Sequence, residues 1–203
     1  IYSGSFVGDG SGLTGISGGS GGSGDYSPFI SGSTFSTGIL PREGDNCTTV
    51  GGNATIAGGT KNTGSGQCTF IGAGECNYAS TTRATVVAGC NNEALSPNSA
   101  VVGGESNSAC ANHTFIGSGR LNTVCGWTGG ITSGACNCIS SAVNYAIIGG
   151  GVRNTGSAHC SGILGGANNY ISGSHNDSFI IGSNITSSAA CTSFVNNFKA
   201  QGP

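Results

Sequence analysis

The residues of this 203-residue chain whose types could do chemistry are ten Cys, three His and eight carboxylates. A metal cluster needs thiolates or imidazoles at short, regular spacing. No Cys-x-x-Cys occurs, the closest pair is Cys136 and Cys138, and His113, His159 and His175 share no ligand motif with the thiols. We read most of the Cys as small buried or half-buried apolar residues, with disulfides second and metal ligation third. A Gly-x-Ser-x-Gly match over residues 18–22 lies in a Gly/Ser run, where no strand-to-helix elbow could follow. Asp9-Gly-Ser-Gly has the look of a calcium loop, but a calcium cage needs several oxygen ligands, and residues 54–190 hold a single Asp, Asp177. Glycoside hydrolysis needs a pair of facing carboxylates, and four Asp and four Glu scattered through the chain supply no convincing pair. We expect no enzyme, no cofactor and no bound metal.

Composition narrows the classes further. Six Lys and Arg, scattered from Arg42 to Lys199, cannot build the clustered basic surface that nucleic acid requires. The chain is 36% apolar with a formal charge of −2, whereas disordered chains combine few apolar residues with high net charge. No run approaches the ~20 apolar residues of a membrane span. The absence of Met and the start at Ile1 lead us to expect a piece of something longer. Five Asn-x-Ser/Thr sites (Asn46, Asn53, Asn112, Asn176 and Asn184) are what so Asn-, Ser- and Thr-rich a chain yields by composition. Forty Gly leave too little side-chain volume for an ordinary large core, so a repetitive fold is expected.

The repeat is legible in the spacing of Asn. Asn62, Asn77, Asn92, Asn107, Asn122 and Asn137 follow one another every 15 residues, and after a two-residue insertion Asn154 and Asn169 resume the interval. Six positions before these lie Ile56, Ile71, Val86, Val101, Ile116, Ile131, Ile148 and Ile163. Three positions before them lie Gly59, Gly74, Gly89, Gly104, Gly119, Gly134, Gly151 and Gly166. A degenerate ninth copy is read with Ile181, Asn184 and Ser187 in the three slots. Gly and Asn tolerate the left-handed backbone best, so the Gly slot predicts a corner. Two positions after the Asn come Gly64, Ala79, Ala94, Ala109, Val124, Ile139, Gly156 and Ile171, small or apolar throughout, which predicts a second inward-facing strand. Fifteen residues are too few for a helical hairpin and suit one coil of a narrow solenoid. Coils stacked at the ~4.8 Å strand spacing make a rod of roughly 40 Å. Cys110 and Cys125 then stand in one phase of adjacent coils, within disulfide range. The Asn side chains, one per coil, are expected to form a hydrogen-bonded ladder.

Successive strand residues point to opposite faces. The neighbours of the Ile/Val slot include Phe70, Phe115, Ile147 and Ile180 before it and Val87, Val102 and Leu164 after it. This strand is therefore apolar on both faces, the pattern of a doubly buried strand. Thr63, Tyr78, Glu93, Ser108, Thr123, Cys138, Thr155 and Tyr170 put the outer face of the second strand in water. A narrow coil can cover only one face of the first strand, and the simplest cover for the other is another copy of the chain. A parallel homo-oligomer is expected.

Units such as Ser99-Ala-Val-Val-Gly-Gly-Glu-Ser-Asn107-Ser-Ala and Ala146-Ile-Ile-Gly-Gly-Gly-Val-Arg-Asn154-Thr-Gly resemble the head repeats of trimeric adhesins of the YadA type. They resemble still more the Gly-Gly-x-x-Asn-Thr-Ala repeats of phage tail fibres. The resemblance covers about residues 54–190, and the segment Phe6-Val-Gly-Asp-Gly-Ser-Gly-Leu-Thr-Gly-Ile16 is similar to a short tail-fibre element. The resemblance implies an all-β, left-handed parallel β-roll assembled as a parallel homotrimer. The period of 15 in place of 14, the lack of a heptad stalk and the lack of a basic neck favour the viral fibre.

The expected organisation is an extended connector with a Gly/Ser linker over 1–24, an irregular, partly extended collar over 25–53, about nine coils over 54–190 and an exit segment over 191–203 toward a further module. The expected function is a structural and adhesive module of a phage tail fibre or similar virion appendage. Its partners would be other copies of itself, further fibre or virion subunits, and a glycan or protein receptor on the host surface, with no nucleic acid and no membrane span. A bacterial trimeric surface adhesin or extracellular fibril subunit is the alternative. An ice-binding solenoid needs a flat Thr array, which Tyr78 and Glu93 interrupt.

Overall fold

The computed structural model describes the strands at residues 29–31, 39–41 and 47–48 and the continuous stretch 53–196. The expected connector over 1–24 and most of the expected collar lie outside the described residues. Among those residues there are only strands, turns and loops, with no helix. The protein is a parallel β-solenoid. Each coil contributes two strands, most of them two residues long: the first strands, Thr55–Ile56, Phe70–Ile71, Thr85–Val86 and their successors, stack into a twelve-stranded sheet, and the second strands, Thr63–Gly64, Tyr78–Ala79 and their successors, into a nine-stranded one. The register advances by one repeat per rung, so Val101 pairs with Val86 on one side and Ile116 on the other.

Such short strands stand because pairing runs along the rod rather than along the strand. Every interior rung is hydrogen-bonded above and below, as in Thr85 N–H to Ser99 O and Val87 N–H to Val101 O, each at 2.9 Å. The side chains alternate strictly across them. Ile56, Ile71, Val86, Val101, Ile116, Ile131, Ile148 and Ile163 are fully buried, and across the thin interior they meet Ala79, Ala94, Ala109, Val124, Ile139 and Ile171 of the second strands. Burial of one such branched side chain contributes about 1.5–3 kcal/mol. Each rung of this narrow interior holds one Ile or Val from the first strand and, facing it, either a small residue such as Ala79, Ala94 or Ala109 or a second branched one, Val124, Ile139 or Ile171.

A third buried column, two residues before the Ile/Val slot, holds small residues: Thr69, Ala84, Ser99, Thr114, Ala146, Ser161 and Ser178. Their hydroxyls close the turn behind them, as Ser99 Oγ does to Ser96 O at 2.6 Å and Thr114 Oγ1 to Ala111 O at 2.7 Å. The two-residue insertion sits in this same turn. Trp127 pairs with Asn144, an advance of 17, and Val143 folds inward to 3% exposure.

The ninth coil differs from the sequence reading in its phase. The ninth coil carries Ile180, not Ile181, in the inward slot: Ile163 pairs with Ile180, which is buried, while Ile181 points out at 49% exposure. A second two-residue insertion, in the turn around Gly173, shifts the phase there, and the following corner is one residue shorter. As a result Gly182 rather than Asn184 meets the corner of Gly166, and Ile185 rather than Ser187 follows Asn169. Ser187 instead pairs into the slot above Ile171, next to the Tyr170–Thr186 bridge. In the collar, Phe29–Ser31 pairs antiparallel with Ile39–Pro41, which joins the stack on Thr55, and Cys47–Thr48 pairs with Thr63–Gly64. Those pairings continue both sheets below the first full coil. At the other end, Ser193–Val195 does not leave the stack but pairs parallel with Phe179–Ile181.

Candidate functional site

The site follows from what the coil leaves outside. In the first sheet the residues on either side of the Ile/Val slot face outward, and several are large: Phe70 (39% exposed), Phe115 (45%), Ile147 (49%), Val87, Val102, Leu164 (58%), Phe179 and Ile181. Between them stand Gly72, Ala100, Gly117, Gly130, Gly149 and Gly162. The face is therefore ridged. A Cβ on Gly162 would lie 2.7 Å from the Phe179 ring and 3.4 Å from Ile147, so the missing side chain lets both settle against the backbone. No charged residue occupies either column between Thr55 and Ile181. Apart from Thr55, Thr85 and Thr132 the two columns are apolar, and a largely apolar, uncharged strip of this kind is characteristic of an association surface. The outer face of the second sheet is more polar, and most of its residues are half-buried, with Ser65 Oγ bonded to Tyr78 Oη at 3.3 Å and Ser108 Oγ to Glu93 at 3.2 Å.

The corner that holds the two sheets together is built from Gly and Asn. All eight Gly slots from Gly59 to Gly166 have φ between 82° and 106°. At Gly104 an added Cβ would overlap the Gly119 carbonyl oxygen of the next coil. Into the space beside each Gly comes the Asn three residues on. Asn62, Asn77, Asn92, Asn107, Asn122, Asn137, Asn154 and Asn169 are all at most 1% exposed. Asn107 shows the pattern: its Nδ2 donates to Asn92 Oδ1 at 3.0 Å, to Gly103 O at 3.0 Å and to Gly119 O at 2.8 Å. Its Oδ1 in turn accepts from the backbone N–H and Nδ2 of Asn122, each at 3.0 Å. The ladder ends where Asn169 Oδ1 accepts from the Ile185 N–H. A buried amide is tolerated only when its donors and acceptors are satisfied, and Asn alone carries both an amide donor and a carbonyl acceptor on so short a side chain.

Two further left-handed positions per coil were not read from the sequence. The residue before each ladder Asn from Asn77 to Asn169 (Cys76, Asn91, Ser106, Leu121, Cys136, Arg153 and Asn168) has φ of 53–57°, and so does the turn column of Cys68, Arg83, Asn98, His113 and Thr128 at 54–59°. A left-handed non-glycine residue costs roughly 1–2 kcal/mol, and stacking on identical neighbours holds it. The signal that could have found them is weak, since Asn occurs at only a few of these positions.

The Cys reading is corrected here. Cys68, Cys76, Cys90, Cys136, Cys160 and Cys191 are exposed, and Cys138 is half-buried. Most sit on outward-pointing corner residues, so they do not fill the interior. Cys110 and Cys125 form a disulfide between adjacent coils with Cα atoms 4.8 Å apart, the separation of one rung. The Cys90 thiol is raised above its ordinary value of 9.0 by desolvation at the corner, then by Glu75, Cys76 and Glu105. Burial likewise raises the Cys138 thiol. Among the described residues no group of three or more His, Cys, Asp or Glu is placed to hold a metal ion. The His side chains have structural contacts: His159 Nδ1 accepts from Asn144 N–H at 3.1 Å, His175 Nδ1 lies 2.7 Å from Ser187 Oγ, and His113 packs edge-on to Trp127. The Gly18–Gly22 motif and Asp9 lie outside the described residues. Among those residues no helix is long and apolar enough to cross a membrane.

No protein-family model matches the chain, and comparison with curated proteins finds no match.

Proposed function

We propose that the chain is a structural and adhesive module of a viral tail fibre or similar virion appendage, working as a parallel homotrimer of left-handed β-rolls that holds a receptor-contacting end away from the particle. The observation that carries this reading is the apolar strip from Phe70 to Ile181 on the outside of a rod whose rungs are hydrogen-bonded to one another. A strip on one long face of a rod is covered most simply by rotational symmetry about the rod axis. Three solenoids joined in this way would make a stiff, protease-resistant shaft. Exposed Thr, Ser, Asn and Tyr would give weak contacts to host glycans, multiplied by three copies. No catalytic step enters this reading.

Light scattering coupled to size-exclusion chromatography tests the reading. A single species at three times the chain mass supports it, and a monomer that stays soluble at high concentration opposes it. Limited proteolysis of the assembled protein should spare residues 54–190.

A further inference from the structure

At the turn that returns the chain from second strand to first, two exposed aromatic residues stand on successive rungs among small and polar ones. Trp127 is 48% exposed and Tyr145 is 61% exposed. They stand on successive rungs: Tyr145 N–H donates to Trp127 O at 3.0 Å, and Trp127 N–H donates to Val143 O at 2.7 Å. His113, on the rung below, meets the indole edge-on with ring centroids 6.2 Å apart and planes at 69°. The first two-residue insertion falls at this turn, and buried Val143 pins it. We propose that Trp127 and Tyr145 form a platform that binds a neutral saccharide; this rests on the adhesive half of the reading above and assigns it a place.

The ligand class follows from the surroundings. Along this turn the nearest charged residues are Arg83, two rungs below His113, and Asp177, two rungs above Tyr145. A phosphorylated or acidic glycan would therefore meet no cation. A pyranose ring has an apolar C–H face, which suits an exposed indole or phenol, and a rim of hydroxyls, which suits groups that both donate and accept. Asn112, Thr128 and Asn144 supply such groups on the same and adjoining rungs, where Thr128 N–H donates to Asn112 O and Asn144 pairs with Trp127. An extended peptide would need free backbone groups for strand addition, but the N–H groups of His113, Thr128, Trp127, Tyr145 and Cys160 are all committed to neighbouring rungs. Two rings without a basic residue are also too small and too neutral to hold a membrane surface.

Trp127 is the only Trp in the chain, so its fluorescence reports on this site alone. The test is titration of the full chain with α- and β-linked gluco-, galacto- and manno-oligosaccharides of four to six sugars. A saturable fluorescence change in the millimolar range with at least one of them is expected for a weak single site. Tyr145→Asn removes the ring yet suits the left-handed backbone there (φ 59°), and should weaken binding about tenfold, the loss of one aromatic contact. Trp127→Ala, followed by calorimetry, should abolish it. Sedimentation of both variants is measured alongside, and unchanged assembly shows that they have folded. An assembled protein with no saturable response to any oligosaccharide overturns the proposal, and so does a Tyr145→Asn variant that binds as tightly as the parent. A response to sulfated or phosphorylated sugars in place of neutral ones overturns it too. Failure of the trimer reading would show separately, as monomeric sedimentation with saccharide binding intact.

Discussion

At the scale of single residues, backbone geometry decides more than side-chain chemistry does. Gly104 sits at φ 93° with the Gly119 carbonyl directly over the place a Cβ would occupy. Gly104→Val forces a β-branched residue into that region and against the next coil, and should lower the thermal midpoint sharply. Ser108→Val, four residues on, replaces a half-buried outward side chain on a strand, where a β-branched residue fits the pleat. It gives up only the surface bond to Glu93 and should be nearly neutral. The two midpoints decide, and greater damage from Ser108→Val would contradict the corner assignment. Cys90 offers a pH test of the same corner. Because its folded value is raised, less of it is thiolate at a pH just below 9.0, and iodoacetamide should modify it slowly there. Glu75→Gln removes one of the charges that oppose ionisation and should speed the reaction in that window, while desolvation, the largest cause, remains. An unchanged rate would place Glu75 away from the thiol.

At the scale of the coil, a phase carried by eight Ile/Val, Gly and Asn triplets was legible in the chain because each slot admits few residue types. The inward slot must be branched and apolar, the corner must accept positive φ, and the Asn must reach three carbonyl or amide partners at once. Val101→Asp or Ile116→Asp would put an unpaired charge in the dry file of side chains and should cost several kcal/mol, read as loss of the folded state at ordinary temperature. What was not legible lies where neighbours rather than residue type set the conformation. Leu121 and Arg153 adopt φ of 55° only because the stack holds them. The ninth coil was misphased by one residue at Ile180 because the insertion near Gly173 is hidden in a Gly- and Ser-rich turn. The outward placement of Cys68, Cys76 and Cys160 was missed because Cys suits either face, whereas the spacing of Cys110 and Cys125 did put them within disulfide range while leaving their pairing open. Reducing that bridge, which closes a 15-residue loop, should cost about 3 kcal/mol if the effect is mainly on unfolded-chain entropy. Comparing denaturant midpoints of Cys110→Ser with and without reductant checks it, since the variant should lose all sensitivity to reductant that the bridge confers.

At the scale of the whole molecule, the solenoid buries its Ile and Val columns and bonds rung to rung but leaves Phe70, Phe115, Ile147, Leu164 and Phe179 on one outer face. Self-association would explain why an uncharged, largely apolar strip persists beside a polar second sheet. Ile147→Asp, at the middle of the strip, should leave the coils intact by circular dichroism while weakening assembly, since the new carboxylate faces outward in the single chain but would be buried between copies. The most direct test is sedimentation equilibrium of the unmodified chain over a wide range of dilution. The account predicts one trimeric species whose mass does not fall with concentration; a monodisperse monomer throughout would contradict it.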